Sequence, residues 1–115
     1  MIKRRAEQAV EVRNNMRGGP GEVVIRHHLA KEDMNAKCRL CAQLVLKPGS
    51  GIGLHEHAGE DEVFIIQQGK ALVTDGGKEA NVEAGDCVLT GKGASHSVTN
   101  TGDTDLVITA VIMQY

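Results

Sequence analysis

Residues 49–69 read Gly-Ser-Gly-Ile-Gly-Leu-His-Glu-His-Ala-Gly-Glu-Asp-Glu-Val-Phe-Ile-Ile-Gln-Gln-Gly and combine strand-like alternation with metal-binding side chains. His55 and His57 are two positions apart, so on a β-strand both imidazoles point to the same face. Residues 58–61 can bend the chain, which brings Glu62 back toward the two histidines at the start of the next strand. The segment therefore predicts two nitrogens and one carboxylate oxygen converging on one metal ion.

The types of donor atom limit which metals the site could bind. Imidazole and carboxylate without thiolate suit Mn, Fe, Co, Ni, Cu or Zn, and such sites often keep coordination positions open for water or substrate. His96, between Gly93 and a strand-like run that ends at Asn100, is a candidate fourth ligand. Affinities of these metals for such a site follow a common order, so the sequence does not distinguish among them.

Two segments together resemble the motifs of the cupin superfamily. The first has a glycine, five residues, His-x-His, four residues, Glu, six residues and a glycine, and it runs from Gly49 to Gly69. The second, Gly85 to Asn100, has the glycine, glycine, histidine and asparagine of cupin motif 2, with Gly91 where that motif usually has proline. Glycine lacks the fixed φ of proline, so this departure loosens the loop before His96 and removes no metal-binding group.

The resemblance implies a fold and a ligand set. The fold is an all-β double-stranded β-helix, the jelly-roll barrel of small single-domain cupins. The metal ligands it implies are His55, His57, Glu62 and His96, which would hold one divalent transition metal and leave two cis positions for a substrate or dioxygen.

The rest of the chain fits a barrel of short strands. Strand-like runs separated by glycine-rich turns are predicted at 22–29, 37–46, 62–68, 71–74, 87–90, 96–99 and 106–113. Residues 5–14 fit a short helix and a strand equally well. We divide the chain into an N-terminal arm and flexible connector, residues 1–21, which packs on the barrel or on a partner subunit, and a barrel domain, residues 22–115.

Composition excludes several classes of partner. The 115 residues suffice for one core, the formal net charge is −2 with scattered basic residues, and the chain has one Phe, one Tyr and no Trp. A nucleic-acid partner is therefore not expected, because both a basic patch and stacking aromatics are lacking. No apolar stretch of membrane-spanning length is present. We expect a cytoplasmic protein that acts on a small-molecule ligand.

The three cysteines point to reduced thiols, because they form an odd set without a secretory signal. Cys38 and Cys41 lie three apart on a strand-like run, which predicts opposite faces and no joint metal or redox site. Arg39, Cys41 and Gln43 share a mixed face that meets either solvent or the pocket. Cys87 is predicted to be a small core residue.

Other polar residues near the motifs could be ordinary surface or interface residues or could take part in function. His27 and His28 are adjacent and so point to opposite strand faces, which favours solvent or interface roles and leaves a proton shuttle as the alternative for an inward ring. Glu56, Glu60 and Asp61 are better explained as solvated loop charges than as an acidic rim or a general base.

Two functional hypotheses remain. The favoured one is a metalloenzyme acting on a small polar molecule, of oxygenase, isomerase or decarboxylase type, and the alternative is a small-ligand-binding or sensor protein without catalytic activity. The chain has no room for DNA-binding helices that would give a sensor an output.

The last strand, residues 106–113, is apolar on both faces, and we expect a second subunit to cover the outer face in a homodimer.

Overall fold

The computed structural model describes residues 1–115 as ten antiparallel β-strands and three short 3₁₀ helices. The strands are β1 Ala9–Asn14, β2 Glu22–Leu29, β3 Cys38–Leu46, β4 Gly51–Glu56, β5 Glu60–Gln68, β6 Lys70–Asp75, β7 Lys78–Glu83, β8 Cys87–Thr90, β9 Ser95–Asn100 and β10 Leu106–Gln114. The 3₁₀ helices are Arg5–Glu7, Met16–Gly18 and Lys31–Asp33. No helix is long and apolar enough to span a membrane.

The strands form two sheets that face each other. One sheet has six strands in the order β1-β2-β3-β10-β5-β8, and the other has four in the order β4-β9-β6-β7. The crossovers between sheets, such as β3 to β4 and β9 to β10, give the double-stranded β-helix and confirm the predicted all-β fold.

The core lies between the two sheets and is almost entirely aliphatic. Its alternation is clearest in β10, where Leu106, Ile108, Ala110 and Ile112 are buried while the residues between them are partly exposed. Phe64 on β5 is the largest fully buried side chain, and Ile66 follows it on the same face. Both lie an even number of residues from Glu62, so they share its face of the strand.

The predicted strands agree with the structure to within two residues at each end, and three further strands appear: β1, β4 and β7. Strand β4 carries His55, as the two-residue spacing of the histidines predicted. Strand β7, Lys78–Glu83, was not predicted because its side chains are mostly exposed and show no apolar alternation. It is held by pairing with β6. In the ambiguous region 5–14, residues Ala9–Asn14 form β1, which pairs with β2 at the edge of the six-stranded sheet.

The segment predicted to be a flexible connector makes close backbone contacts with β4. The Gly51 amide donates to the Pro20 carbonyl over 2.8 Å. A Cβ on Gly19 would lie 2.4 Å from the Gly51 oxygen, and a Cβ on Gly53 would lie 2.0 Å from the Arg17 oxygen. Glycine at positions 19 and 53 therefore allows the N-terminal segment to lie directly against β4.

A β-bulge changes the faces predicted for β3. The register pairs Leu40 with Ile112 but Cys38 with Met113, so Arg39 is the extra residue. Cys38 and Cys41 therefore lie on the same side of the sheet, and the prediction of opposite faces was wrong because the bulge shifts the two-residue period. All three cysteines are free thiols, and Cys87 is exposed rather than part of the core.

Candidate metal centre

Three neighbouring strands bring the predicted metal-binding residues together inside the barrel. His55 lies on β4 opposite His96 on β9, His57 follows the end of β4, and Glu62 lies on β5. His57, Glu62 and His96 are buried, with 2 %, 5 % and 1 % of their surface exposed, and His55 is partly buried. The four side chains form a group that could hold a metal ion.

Five of the six separations between the donor atoms of these side chains are close to 3 Å. The His57 Nε2 atom lies 3.1 Å from His55 Nε2 and 3.0 Å from His96 Nε2. A Glu62 carboxylate oxygen lies 3.0 Å from His57 Nε2 and 2.9 Å from His96 Nε2. His55 Nε2 and His96 Nε2 are 3.2 Å apart, and all four groups lie within 4.8 Å of one another. The remaining pair, His55 with Glu62, is the most widely separated.

The protons of two imidazoles are fixed by what their Nδ1 atoms contact. His55 Nδ1 donates to the Gly53 carbonyl over 2.7 Å, and His57 Nδ1 donates to the Glu60 carboxylate over 2.7 Å. Burial lowers the pKa of His55, which favours its neutral form. In the neutral rings each Nε2 carries a lone pair, so the contact between them is not a hydrogen bond. Lone pairs directed at one point are what a bound cation requires.

The separations also fit the coordination geometry of a first-row metal. With metal–ligand bonds of about 2.1 Å, adjacent corners of an octahedron are about 3.0 Å apart. Four donors with five short separations and one longer one would fit four such corners around a bound metal, and two adjacent corners would be left for a ligand. The residues present therefore fit a divalent transition metal with two open cis positions.

His96 is held differently from the other two histidines. Its ring stacks on Phe64, with 4.9 Å between ring centroids and 21° between ring planes. Its buried Nδ1 atom has no hydrogen-bond partner. Packing rather than hydrogen bonding therefore orients this ring.

Glu60 supports His57 and is not the solvated loop charge that the sequence predicted. It is buried, and Arg39 donates to both of its oxygens over 2.7 and 2.6 Å. The hydrogen bond from Arg39 lowers the pKa of Glu60 to about 2, with a further contribution from His57. The ionised Glu60 accepts the His57 proton and fixes that ring, as carboxylates commonly do for metal-binding histidines. Glu56 is exposed, as predicted.

A cavity of about 160 Å³ opens onto His55, His57 and Glu62. Its apolar lining comes from both sheets and the N-terminal segment: Met16, Ile25, Leu40, Leu44, Ile52, Phe64 and Ile112. Its charged or titratable lining outside the ligand group is Glu11, Arg13, Arg17, His27 and Arg39. Arg39 reaches the cavity from the β3 bulge, whereas Cys41 and Gln43, its predicted neighbours on the mixed face, do not line it. Burial raises the pKa of the Cys41 thiol.

The two adjacent histidines have separate environments. His27 lines the cavity, and its Nε2 atom lies 2.9 Å from the Glu11 carboxylate, whose pKa is lowered mainly by this hydrogen bond. His28 Nδ1 lies 2.9 Å from the Gln8 side-chain oxygen. The sequence did not predict that Glu11 and His27 meet, because the contact depends on the pairing of β1 with β2.

The fold and the site define the chain as a small double-stranded β-helix barrel with a candidate metal centre inside it. The family model "Cupin domain" matches residues 42–112, and the chain belongs to this family.

Similar proteins agree with this assignment. A Thermotoga maritima protein named "Oxalate-binding protein" is 48% identical over 113 residues, which cover 98% of this chain and 93% of the relative. A crystal structure from Thermotoga maritima, described as a "predicted oxalate decarboxylase", matches with a TM-score of 0.94, 47% identity and full coverage of both chains. A cupin 2 conserved barrel protein from Salinispora arenicola has a TM-score of 0.72 at 25% identity, covering 92% of this chain and 82% of that one.

Proposed function

We propose that the protein binds a small dicarboxylate of the oxalate type on a divalent transition metal held by His55, His57, Glu62 and His96. The observation that carries the proposal is the convergence of these four donor groups, three of which line a small cavity. The relative that is 48% identical is named for oxalate binding, which suggests the first ligand to test. One metal ion per chain, drawn from Mn, Fe, Co, Ni, Cu and Zn, is the proposed cofactor.

The cavity supports a small, anionic ligand. Its volume of about 160 Å³ suits a molecule of a few heavy atoms. Three arginines line it, so a carboxylate entering the cavity meets guanidinium groups that favour planar oxyanions. The apolar residues of the lining lower the local polarity, which strengthens these charge interactions.

Each part of the site has a distinct role in this binding. A bound metal would act as a Lewis acid that accepts carboxylate oxygens at its two open positions. Glu60 and the Gly53 carbonyl hold the His57 and His55 rings so that both Nε2 lone pairs face the same point. Phe64 holds the third ring by stacking, and Arg39 keeps Glu60 ionised and in place.

Isothermal titration calorimetry with oxalate tests the proposal on protein loaded in turn with Mn²⁺, Co²⁺ or Zn²⁺. We expect one oxalate per chain with a loaded metal and no measurable binding to metal-free protein. Succinate, which is longer by two methylenes, serves as the size control and is expected to bind weakly. Equal oxalate binding with and without metal would contradict the proposal.

A second candidate is that the metal-bound dicarboxylate is also decarboxylated. The Glu11–His27 pair favours it, because a carboxylate and an imidazole 2.9 Å apart line the cavity and could move a proton. Formate release from oxalate, measured by an enzyme-coupled assay under air, tests this candidate. No formate from metal-loaded protein that binds oxalate would restrict the function to binding.

We also propose that the chain forms a homodimer through the outer face of the six-stranded sheet. Val12, Val24, Val45 and Val107 pair in register to form one apolar row across four strands. Cys41, Val111, Val63 and Leu89 form a second row. Arg26, Gln43 and Thr109 lie between the rows, so the face has few charges and suits a second copy of itself.

Size-exclusion chromatography with light scattering tests the dimer. A mass of two chains is expected for the native protein and of one chain for Val111→Glu. Leu54→Glu, which changes a 63 % exposed leucine on the other sheet, is the matched control and is expected to remain dimeric. A native monomer at micromolar concentration would contradict the dimer.

We propose a cytoplasmic location for the protein. Its three cysteines are all free thiols, which suits a reducing compartment. Fractionation of the source cells followed by immunoblotting tests this placement, and recovery in the periplasmic or culture fraction would contradict it.

A further inference from the structure

The N-terminal segment places charged side chains at the cavity that the barrel domain alone would lack. Glu11 and Arg13 lie on β1, and Arg17 lies in the 3₁₀ turn that follows it. The segment is fixed by the hydrogen bond from Gly51 to Pro20 and by the close approach of Arg17 to Gly53. These residues therefore form a second wall of the metal cavity.

The arginines of this cavity differ in what they contact. Arg39 is bound to both oxygens of Glu60, and Arg13 lies 3.4 Å from the Glu11 carboxylate. Arg17 takes part in no ion pair of the protein. Of the three arginines that line the cavity, Arg17 is therefore the one without an ion-pair partner in the protein.

The backbone of Arg17 is held in an unfavourable conformation. Its φ of 54° and ψ of 28° lie in the left-handed region, which residues with a Cβ seldom occupy. The Gly53 position accommodates this turn, because any side chain there would meet the Arg17 carbonyl oxygen. The surrounding structure maintains a strained arginine beside the candidate metal centre, and such strain often accompanies function.

We propose that Arg17 is the specificity-determining residue of the cavity and binds the carboxylate oxygens that face away from the metal. This inference rests on the proposed function. It means that the cavity distinguishes ligands by whether they carry a second negative charge. In oxalate the two carboxylates are bonded directly to each other, so when one oxygen of each binds the metal the other two oxygens face away from it. Arg17 lines the same cavity of about 160 Å³ as His55, His57 and Glu62, which places it close to a ligand bound at the metal.

Calorimetry on metal-loaded protein with oxalate and glycolate tests the inference. Glycolate offers two adjacent oxygens to a metal but carries one negative charge. We expect Arg17→Gln to weaken oxalate binding by about tenfold or more, the effect of losing a charged hydrogen bond, and to leave glycolate binding nearly unchanged. Arg17→Lys should recover part of the loss. Arg4→Gln, an exposed arginine outside the cavity, is the charge-matched control and should behave as the native protein.

Thermal unfolding separates a role in specificity from a role in folding. Arg17→Gly keeps the left-handed backbone without strain, so its Tm should equal or exceed that of the native protein while its preference for oxalate is lost. Native oxalate affinity in Arg17→Gln, or equal losses for oxalate and glycolate, would overturn the inference and leave the metal-dependent binding intact. If the loaded native protein binds no oxalate, the proposed function itself fails.

Discussion

The two walls of the cavity are built in different ways. The wall that carries the metal-binding groups comes from β4, β5 and β9, and three of its four ligand side chains are at least 95 % buried. The opposite wall comes from the edge strand β1 and the turn after it, where Arg13 and Arg17 are exposed. We infer from this difference that metal capture depends on a rigid interior and ligand choice on a peripheral segment. Changes to the first wall should abolish both, and changes to the second should affect ligand choice alone.

Metal removal should have the largest effect, because it would leave the four donor groups without the cation that we propose they bind. A ligand present at 100 times its Kd stabilises a protein by about 2.7 kcal/mol. Dialysis against a chelator is therefore expected to lower the Tm by roughly 10 °C or more and to abolish oxalate binding. Differential scanning calorimetry before and after dialysis measures the shift. His28→Ala changes a histidine outside the cavity and is the control: its Tm should fall on metal removal by as much as that of the native protein. An unchanged Tm of the native protein after complete metal removal would contradict the account.

Removing the carboxylate that orients the His57 ring should have the next largest effect. Glu60→Gln removes the charge that binds Arg39 and accepts the His57 proton. Loss of such a support commonly lowers metal affinity by about 10- to 100-fold, and we expect a value in this range from competition with a metal-binding dye. Glu56→Gln, an exposed glutamate on the same part of the chain, is the control. Equal affinity in both variants would show that Glu60 does not position His57.

Features of the site that depend on residues close together in the sequence were predictable, and features that depend on contacts between distant residues were not. The convergence of His55, His57 and Glu62 follows from strand parity and one short turn, so the sequence predicted it. The contact between Glu60 and Arg39 requires the β-bulge that moves Arg39 toward the cavity. The sequence left Arg39 facing either solvent or the pocket and predicted a solvated loop charge for Glu60.

The second wall was the least predictable part. Its position depends on the pairing of β1 with β2 and on two glycines, Gly19 and Gly53, that allow backbone contact with β4, and neither feature has a local sequence signal. Strand β7 was missed for a related reason: its stability comes from its neighbour rather than from its own apolar pattern.

Displacing the second wall should affect ligand binding more than metal binding. In Gly19→Ala the new Cβ would lie 2.4 Å from the Gly51 oxygen, so the N-terminal segment must move away from β4. We expect oxalate affinity to fall by part of the roughly tenfold contribution assigned to Arg17, with metal affinity within about twofold. Calorimetry measures both. Gly102→Ala, where the added Cβ makes ordinary contacts from 3.5 Å, is the control. A greater loss of metal than of oxalate affinity would reverse the assignment of the two walls.

The smallest effect is expected at the Glu11–His27 pair. The pKa of Glu11 is lowered mainly by the hydrogen bond with His27, so its ionised form contributes stability above its ordinary pKa and loses it as the pH falls through the lowered value. The pair is partly exposed, and its contribution should stay below about 1 kcal/mol. Glu11→Gln is expected to lower the Tm by a few degrees at pH 7 and not at all near pH 2. A difference that persists at low pH would exclude this ionisation as its cause.

The most direct test of the central claim is metal analysis of untagged protein by inductively coupled plasma mass spectrometry, beside a variant in which His55 and His57 are both alanine. We predict about one divalent transition metal ion per native chain and almost none in the variant, whose circular dichroism should still show the barrel. No metal in the native protein after reconstitution with several divalent ions, or equal metal in both proteins, would contradict the assignment of this site.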